Sequence, residues 1–288
     1  MSPALPVRRR GASPVLLVLV GICSVQLGAG IAKSLFDEVS PTTIVWLRLL
    51  SSCVVLLAWV RPSLRGRTRR DWLVVVGFGA SLGLMNWAIY QSFSRIPLGI
   101  AVTLEFAGPL TLAIAGSRRP RDLLWVLLAG LGVLALGLEP GTVTWAGVGF
   151  AILAGAAWSS YILLSRATGA RWAGLDGLAV ASLVAVLGLS PVTLAYAGGP
   201  DAPRAWLLGA LVGVLSSVIP YSCELVALRS LPPATFGILM SLEPAAAALA
   251  GLVVVGERLS AVQWLAVLCV VAASVGATRT SSAPRPVD

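Results

Sequence analysis

The sequence predicts an all-α polytopic membrane protein with ten transmembrane helices arranged as two inverted five-helix repeats. Three observations point there. Of 288 residues, 57% are hydrophobic and 11% charged, where a soluble domain carries about 25% charged residues. Apolar stretches recur along the chain at lengths near the roughly 20 residues that a hydrocarbon core of about 30 Å requires. Finally, the segment SRIPLGIAVTLEFAGPLTLAIAG (94–116) returns as SLPPATFGILMSLEPAAAALAG (230–251), and a constant offset of 135 residues pairs Pro97 with Pro232 and Pro109 with Pro244.

The expected helices are 15–36, 42–60, 72–92, 98–115, 123–138, 145–164, 177–196, 205–225, 234–255 and 261–277. The first follows RRRGASP and reads as an uncleaved signal anchor. The fifth is short. Glycines recur in the third (Gly77, Gly79, Gly83), the sixth (Gly147, Gly149, Gly155) and the eighth (Gly209, Gly213), a spacing that lets membrane helices pack closely. Trp72, Trp145 and Trp206 stand at helix ends, where an interfacial belt is expected. Residues 197–204 form a turn-rich connection, and the tail 279–288 has a disordered composition. The repeats are expected at 14–138 and 145–277.

Charge sets the orientation. With a cytoplasmic N-terminus, sixteen arginines fall in cytoplasmic segments and three (Arg95, Arg204 and Arg258) on the opposite side. The positive-inside rule therefore places both termini in the cytoplasm. Five helices per half is an odd number, so the second half enters the membrane inverted. Inverted repeats are a transporter architecture, with the binding site near the midplane between the repeats. The net charge of +9 does not imply nucleic acid, because the arginines cluster between apolar runs instead of forming one basic face.

Acids inside these runs are the candidates for chemistry. Glu105, Glu224 and Glu243 interrupt apolar sequence, each within four residues of Pro109, Pro220 or Pro244. A carboxylate in hydrocarbon needs a partner, a proton or a water-filled cavity. A proline there frees backbone carbonyls that protein or water must satisfy. Together they mark a transport pathway, with the three prolines as helix-bending points. A structural alternative is a protonated acid tied to a neighbouring helix, or an ion pair with Lys33 or Arg48. Lys33 and Arg48 lie toward the outer ends of their helices. They either snorkel to the interface or serve as counter-ions to a substrate carboxylate or to one of the acids. Gln26, Gly30 and Lys33 share one helix face; Asn86 with Tyr90, and Trp158 with Tyr161, share others, and Tyr221 lies one turn from Glu224. Polar atoms and aromatic faces beside a carboxylate suit a small ammonium group. The candidate substrate- or proton-binding set is thus Glu105, Glu243, Glu224, Lys33, Gln26, Asn86, Tyr90, Trp158, Tyr161 and Tyr221.

The sequence has no histidine, and Cys23, Cys53, Cys223 and Cys269 lack metal-ligand spacing and read as small buried hydrophobes. No metal, cofactor or obligate protein partner is expected. No nucleotide-binding signature is present, so energy must come from a gradient or a partner. A membrane enzyme acting on lipid would want a clustered polar motif in an interfacial loop; the loops offer arginines and single acids.

LGIAVTLEFAGPL, the following SRRP, and LPPATFGILMSLEPA with GERL resemble the drug/metabolite transporter superfamily. Within it they are most similar to the threonine/homoserine branch of the EamA-type inner-membrane exporters. The resemblance spans the first to the tenth expected helix and departs in the arginine-rich ends and the glycine/alanine-rich filler. It implies two five-helix EamA repeats, a central cavity, and export of small metabolites from the cytoplasm against proton entry. Threonine and homoserine are the first expected substrates; aromatic amino acids or cationic toxins are the alternative.

Overall fold

The computed structural model describes residues 13–115, 124–125, 127–132, 143–196, 203–228, 230–231 and 233–281. Its helices are α1 (Pro14–Ser34), α2 (Pro41–Val60), α3 (Arg69–Phe93), α4 (Leu98–Glu105), α5 (Ala107–Ala115), α6 (Trp145–Gly169), α7 (Asp176–Tyr196), α8 (Pro203–Gly213), α9 (Ile219–Leu228), α10 (Pro233–Met240), α11 (Glu243–Ala250) and α12 (Ala261–Ser281). Wide π turns at Val214–Val218 and Gly251–Val255 extend α8 into α9 and close α11. The described residues contain no strand. Among the described residues, eight stretches are long and apolar enough to cross a membrane, and Leu98–Leu112 forms a shorter apolar helix. Half of the expected helix 123–138 lies outside the described residues; 124–125 and 127–132 are helical.

Helix ends depart from expectation where local hydrogen bonding decides. The third helix begins at Arg69 instead of 72 because Thr68 and Asp71 form a reciprocal capping box. The Thr68 side chain accepts from the Asp71 N–H at 3.2 Å, and Asp71 Oδ2 accepts from the Thr68 N–H at 2.9 Å. The apolar run itself begins only at Trp72, and the cap extends the helix through Arg69, Arg70 and Asp71. The sixth helix runs to Gly169 and the last to Ser281, past their expected ends at 164 and 277. Residues 282–288 of the expected tail lie outside the described residues, as do 197–202 of the expected surface connection.

Three of the helical paths are interrupted, and prolines explain where. A proline cannot donate to the carbonyl four residues back. Pro109 therefore frees the Glu105 carbonyl, and the helix divides at Phe106 between α4 and α5. Pro244 does the same for Met240, and the chain turns at Ser241 and Leu242 between α10 and α11. The offset of 135 residues carries Phe106 onto Ser241, so both breaks occupy the same register. Pro220 follows the π turn Val214–Val218. By contrast, Pro191 sits inside α7 without dividing it.

Close approaches pack the broken paths into the bundle. A Cβ on Gly108 would lie 2.0 Å from the Gly155 carbonyl oxygen, and one on Gly99 2.6 Å from Ala248 Cα. Only hydrogen fits at either point. The first contact seats the α4–α5 break against α6; the second crosses α4 over α11. Outside, Leu73, Leu207 and Val253 present more than half of their surface, which suits lipid and not water. Cys53 is buried as expected, whereas Cys23 is exposed.

The two ends of the bundle differ in charge. At one end, Arg67 pairs with Asp176 and Arg171 with Asp71, both at 3.7 Å, and the Arg67 guanidinium lies 4.2 Å from the Trp172 ring centre. At the other, Arg204 pairs with Glu38 at 3.2 Å, and Lys33 pairs with Glu257.

Candidate functional site

The breaks and the π turn open onto one cavity of about 450 Å³. Glu105 is the last residue of α4 and only 9% exposed. Glu243 is the first residue of α11, and Glu224 stands on α9. All three line the cavity. They are close enough that Glu243 interacts electrostatically with both other acids, and Glu105 with Arg48. The helix interruptions thus bring carboxylates from both halves of the chain to one space.

Side chains from α1, α2, α3 and α6 complete the walls. Gln26 comes from α1 and Arg48 from α2. Asn86 turns its amide back to the Leu82 carbonyl at 2.9 Å. Tyr90 is packed between Phe36 and Phe93, with ring centres 6.1 and 5.6 Å away. Trp158 stands edge-on to Phe106 at 5.0 Å, and Tyr161 contacts Phe78 at 5.0 Å. These aromatic pairs fix ring planes that would otherwise rotate.

Of the candidates named from sequence, Glu105, Glu224, Glu243, Gln26, Asn86, Tyr90, Trp158 and Tyr161 line this cavity, with Pro109 and Pro220 beside them. Pro244 is buried behind Glu243. The side chain of Tyr221 lies outside the described residues. Lys33 is held elsewhere. Its ammonium donates to the Ile96 carbonyl at 2.6 Å and pairs with Glu257. The shared face of Gln26, Gly30 and Lys33 is real, but it divides along its length: Gly30 packs on Val254 and only the Gln26 turn reaches the cavity.

The candidates named from sequence leave out Ser216 and Glu257, and they give Arg48 either as a cation snorkelling to the interface or as a counter-ion. Ser216 was legible through Pro220. The residue four before a membrane proline has a carbonyl to offer, and here the Arg48 guanidinium donates to it at 3.1 Å. In the same π turn, the Ile219 N–H reaches back to Val214, and the Leu215 carbonyl accepts from the Ser24 hydroxyl at 2.6 Å. Side chains of α1 and α2 thereby satisfy carbonyls that the irregular backbone leaves open.

Residues 145–279 match the model of the EamA-like transporter family. The threonine/homoserine exporter RhtA of Salmonella typhimurium is 43% identical over 273 residues, which cover 93% of this chain and 92% of that protein. This chain belongs to the EamA-like transporters. RhtA of Escherichia coli (strain K12) is 42% identical with the same coverage. A solved crystal structure shares the fold at a TM-score of 0.63 and 18% identity, covering 92% of this chain and 97% of its own. This EamA-like transporter is a multi-pass membrane protein.

Proposed function

We propose that this transporter is a secondary exporter of small neutral amino acids, threonine and homoserine first, driven by proton entry. It spans the bacterial inner membrane with ten helices as two inverted repeats, 14–138 and 145–277, and both termini are cytoplasmic. The observation that carries this reading is the gathering of Glu105, Glu224 and Glu243 into one cavity bounded by helix breaks. The similarity to RhtA supplies the substrate class. The matched register of the two breaks supports the repeat, and the arginine asymmetry supports the orientation.

Transport follows from competition at the acids. Desolvation favours the protonated form of a carboxylic acid, whereas a bound ammonium favours the ionised form. A substrate ammonium and a proton then exclude each other at one carboxylate, and each ligand shifts the other's binding by the same factor. Alternating exposure of such a site to the two sides gives antiport. The cavity reaches Phe236 at the start of α10 and Thr278 near the end of α12. On the proposed orientation this is the cytoplasmic side, where export begins.

Two measurements test the reading. Proteoliposomes preloaded with unlabelled threonine or homoserine should accumulate the labelled form by counterflow. An aromatic amino acid should compete poorly. Counterflow of an aromatic amino acid without threonine or homoserine would replace the substrate class. That second reading has its own support in the aromatic rings of Tyr90, Phe106, Trp158 and Tyr161 on the walls.

Orientation is tested with single cysteines in a background lacking Cys23, Cys53, Cys223 and Cys269. On intact cells an impermeant thiol reagent should label Asp37→Cys and spare Leu64→Cys. Leu64 lies between α2 and α3 and is 51% exposed, so access from its own side is assured. Labelling of Leu64→Cys from outside would reverse the orientation.

A further inference from the structure

Glu105 and its fellow acids account for one end of an amino acid. The other end of a zwitterion is a carboxylate, and it needs a cation. Arg48 lines the cavity, and none of the ion pairs among the described residues includes it. A cation at this depth with only the longer-range attraction of Glu105 is costly. Its guanidinium is nevertheless held in place. One nitrogen donates to the Ser216 carbonyl at 3.1 Å, and another lies 3.4 Å from the Tyr90 hydroxyl, with the ring centre 5.6 Å away. The carbonyl is available because Pro220 cannot donate to it.

Unpaired polar atoms recur on residues that line this cavity. Arg48 Nε, Gln26 Oε1 and Ser216 Oγ are buried without a hydrogen-bond partner. Gln26 is 3% exposed and Ser216 2%. All three residues line the cavity. A buried polar atom without a partner costs free energy, so three of them on residues that line one cavity fit a ligand that completes them. Their chemistry is complementary to one molecule. The Arg48 N–H and the Ser216 O–H can donate to a carboxylate, while Gln26 Oε1 can accept from a hydroxyl.

We infer that Arg48, with Ser216 beside it, binds the carboxylate of a zwitterionic substrate, that Gln26 accepts from its side-chain hydroxyl, and that Glu105 faces its ammonium. This rests on the proposed export of small amino acids and assigns the specificity of that site. The assignment separates amino acids from amines of the same size: an amine without a carboxylate leaves Arg48 unpaired.

The test compares threonine with threoninol, which keeps the ammonium and the hydroxyl and replaces the carboxylate with an alcohol. Each competes against labelled threonine in counterflow. In the wild type threoninol should be about tenfold to a hundredfold weaker, the range for losing a hydrogen-bonded charged partner. Arg48→Gln should weaken threonine by a similar factor and erase the gap. Arg48→Lys keeps the charge without the planar fork and should narrow the gap; it serves if Arg48→Gln does not fold. Equal competition by threonine and threoninol in the wild type overturns the assignment, with no variant needed. A full gap in active Arg48→Gln or Arg48→Lys does the same. Absence of threonine and homoserine counterflow in the wild type is a different result: it removes the substrate reading on which the assignment stands.

Discussion

Replacing the carboxylate that exchanges protons should reduce pH-gradient-driven efflux to the level of protein-free vesicles, and the expected sites are Glu243 and Glu105. Glu→Gln preserves size and hydrogen-bonding capacity but cannot titrate. A chain carrying the change at the coupling site should insert, fold and still bind substrate weakly, yet fail to convert a pH gradient into export. Counterflow, which needs no gradient, should survive better than driven efflux in that variant. This split separates coupling from simple loss of binding. The geometry narrows the choice to these two acids because each stands directly at a helix break, Glu105 ending α4 and Glu243 opening α11. Bending at Phe106 or at Ser241–Leu242 would move the attached carboxylate relative to the rest of the cavity. Glu224, on α9, lacks that placement and is expected to tune the field around the other two. Normal coupling in both Glu105→Gln and Glu243→Gln would eliminate the mechanism and move attention to Glu224 or to another driving ion. Loss of folding in both would support a structural tie between helices.

Much of this site was legible in the sequence because its signals are local. An acid within four residues of a proline, inside an apolar run, needs no knowledge of the fold to stand out. The offset that pairs Pro109 with Pro244 likewise anticipates that the breaks share a register. Aromatic and amide side chains on helix faces such as Asn86 with Tyr90 could be listed by spacing alone. What the sequence hid is partnership across the chain. Lys33 and Arg48 look alike in sequence, each a lone cation in an apolar helix. One is taken by Glu257, 224 residues away, and the other is left facing the cavity. Only the packing of α1 against the segment that follows α11 separates the two. The same holds for Ser216, an unremarkable serine until its carbonyl meets Arg48. The early start of α3 has a different cause: the Thr68–Asp71 capping box lies ahead of the apolar run that begins at Trp72, so apolar length alone starts the helix too late.

Glu257→Ala should lower thermal stability by about 3 kcal/mol, the order expected when a mostly buried ion pair loses one partner, and should open the cavity toward the outer side. Both side chains of the Lys33–Glu257 pair are 15% exposed. The pair is also the centre of a larger knot. Glu257 Oε2 accepts from the Leu98 N–H at 2.8 Å at the start of α4, and Lys33 donates to the Ile96 carbonyl two residues earlier. The Glu257 N–H returns to the Gly251 carbonyl at 3.0 Å, across a bend where Gly256 adopts φ 79°. One acid therefore ties the end of α1, the start of α4 and the segment that follows α11. On the proposed orientation this knot lies on the outer side, where exported cargo would leave. Glu257→Gln distinguishes the parts: it keeps an oxygen for Leu98 but removes the ion pair. A reporter cysteine at Val25, which lines the cavity, reads the opening through an impermeant thiol reagent on intact cells. Labelling should rise several-fold in Glu257→Ala and less in Glu257→Gln. Adding Lys33→Met should restore part of the stability, because it removes the charge that Glu257→Ala leaves unpaired. It should not restore closure, since the tie between α1 and α4 is then absent. An unchanged melting temperature with unchanged labelling in Glu257→Ala would show that the knot holds nothing shut.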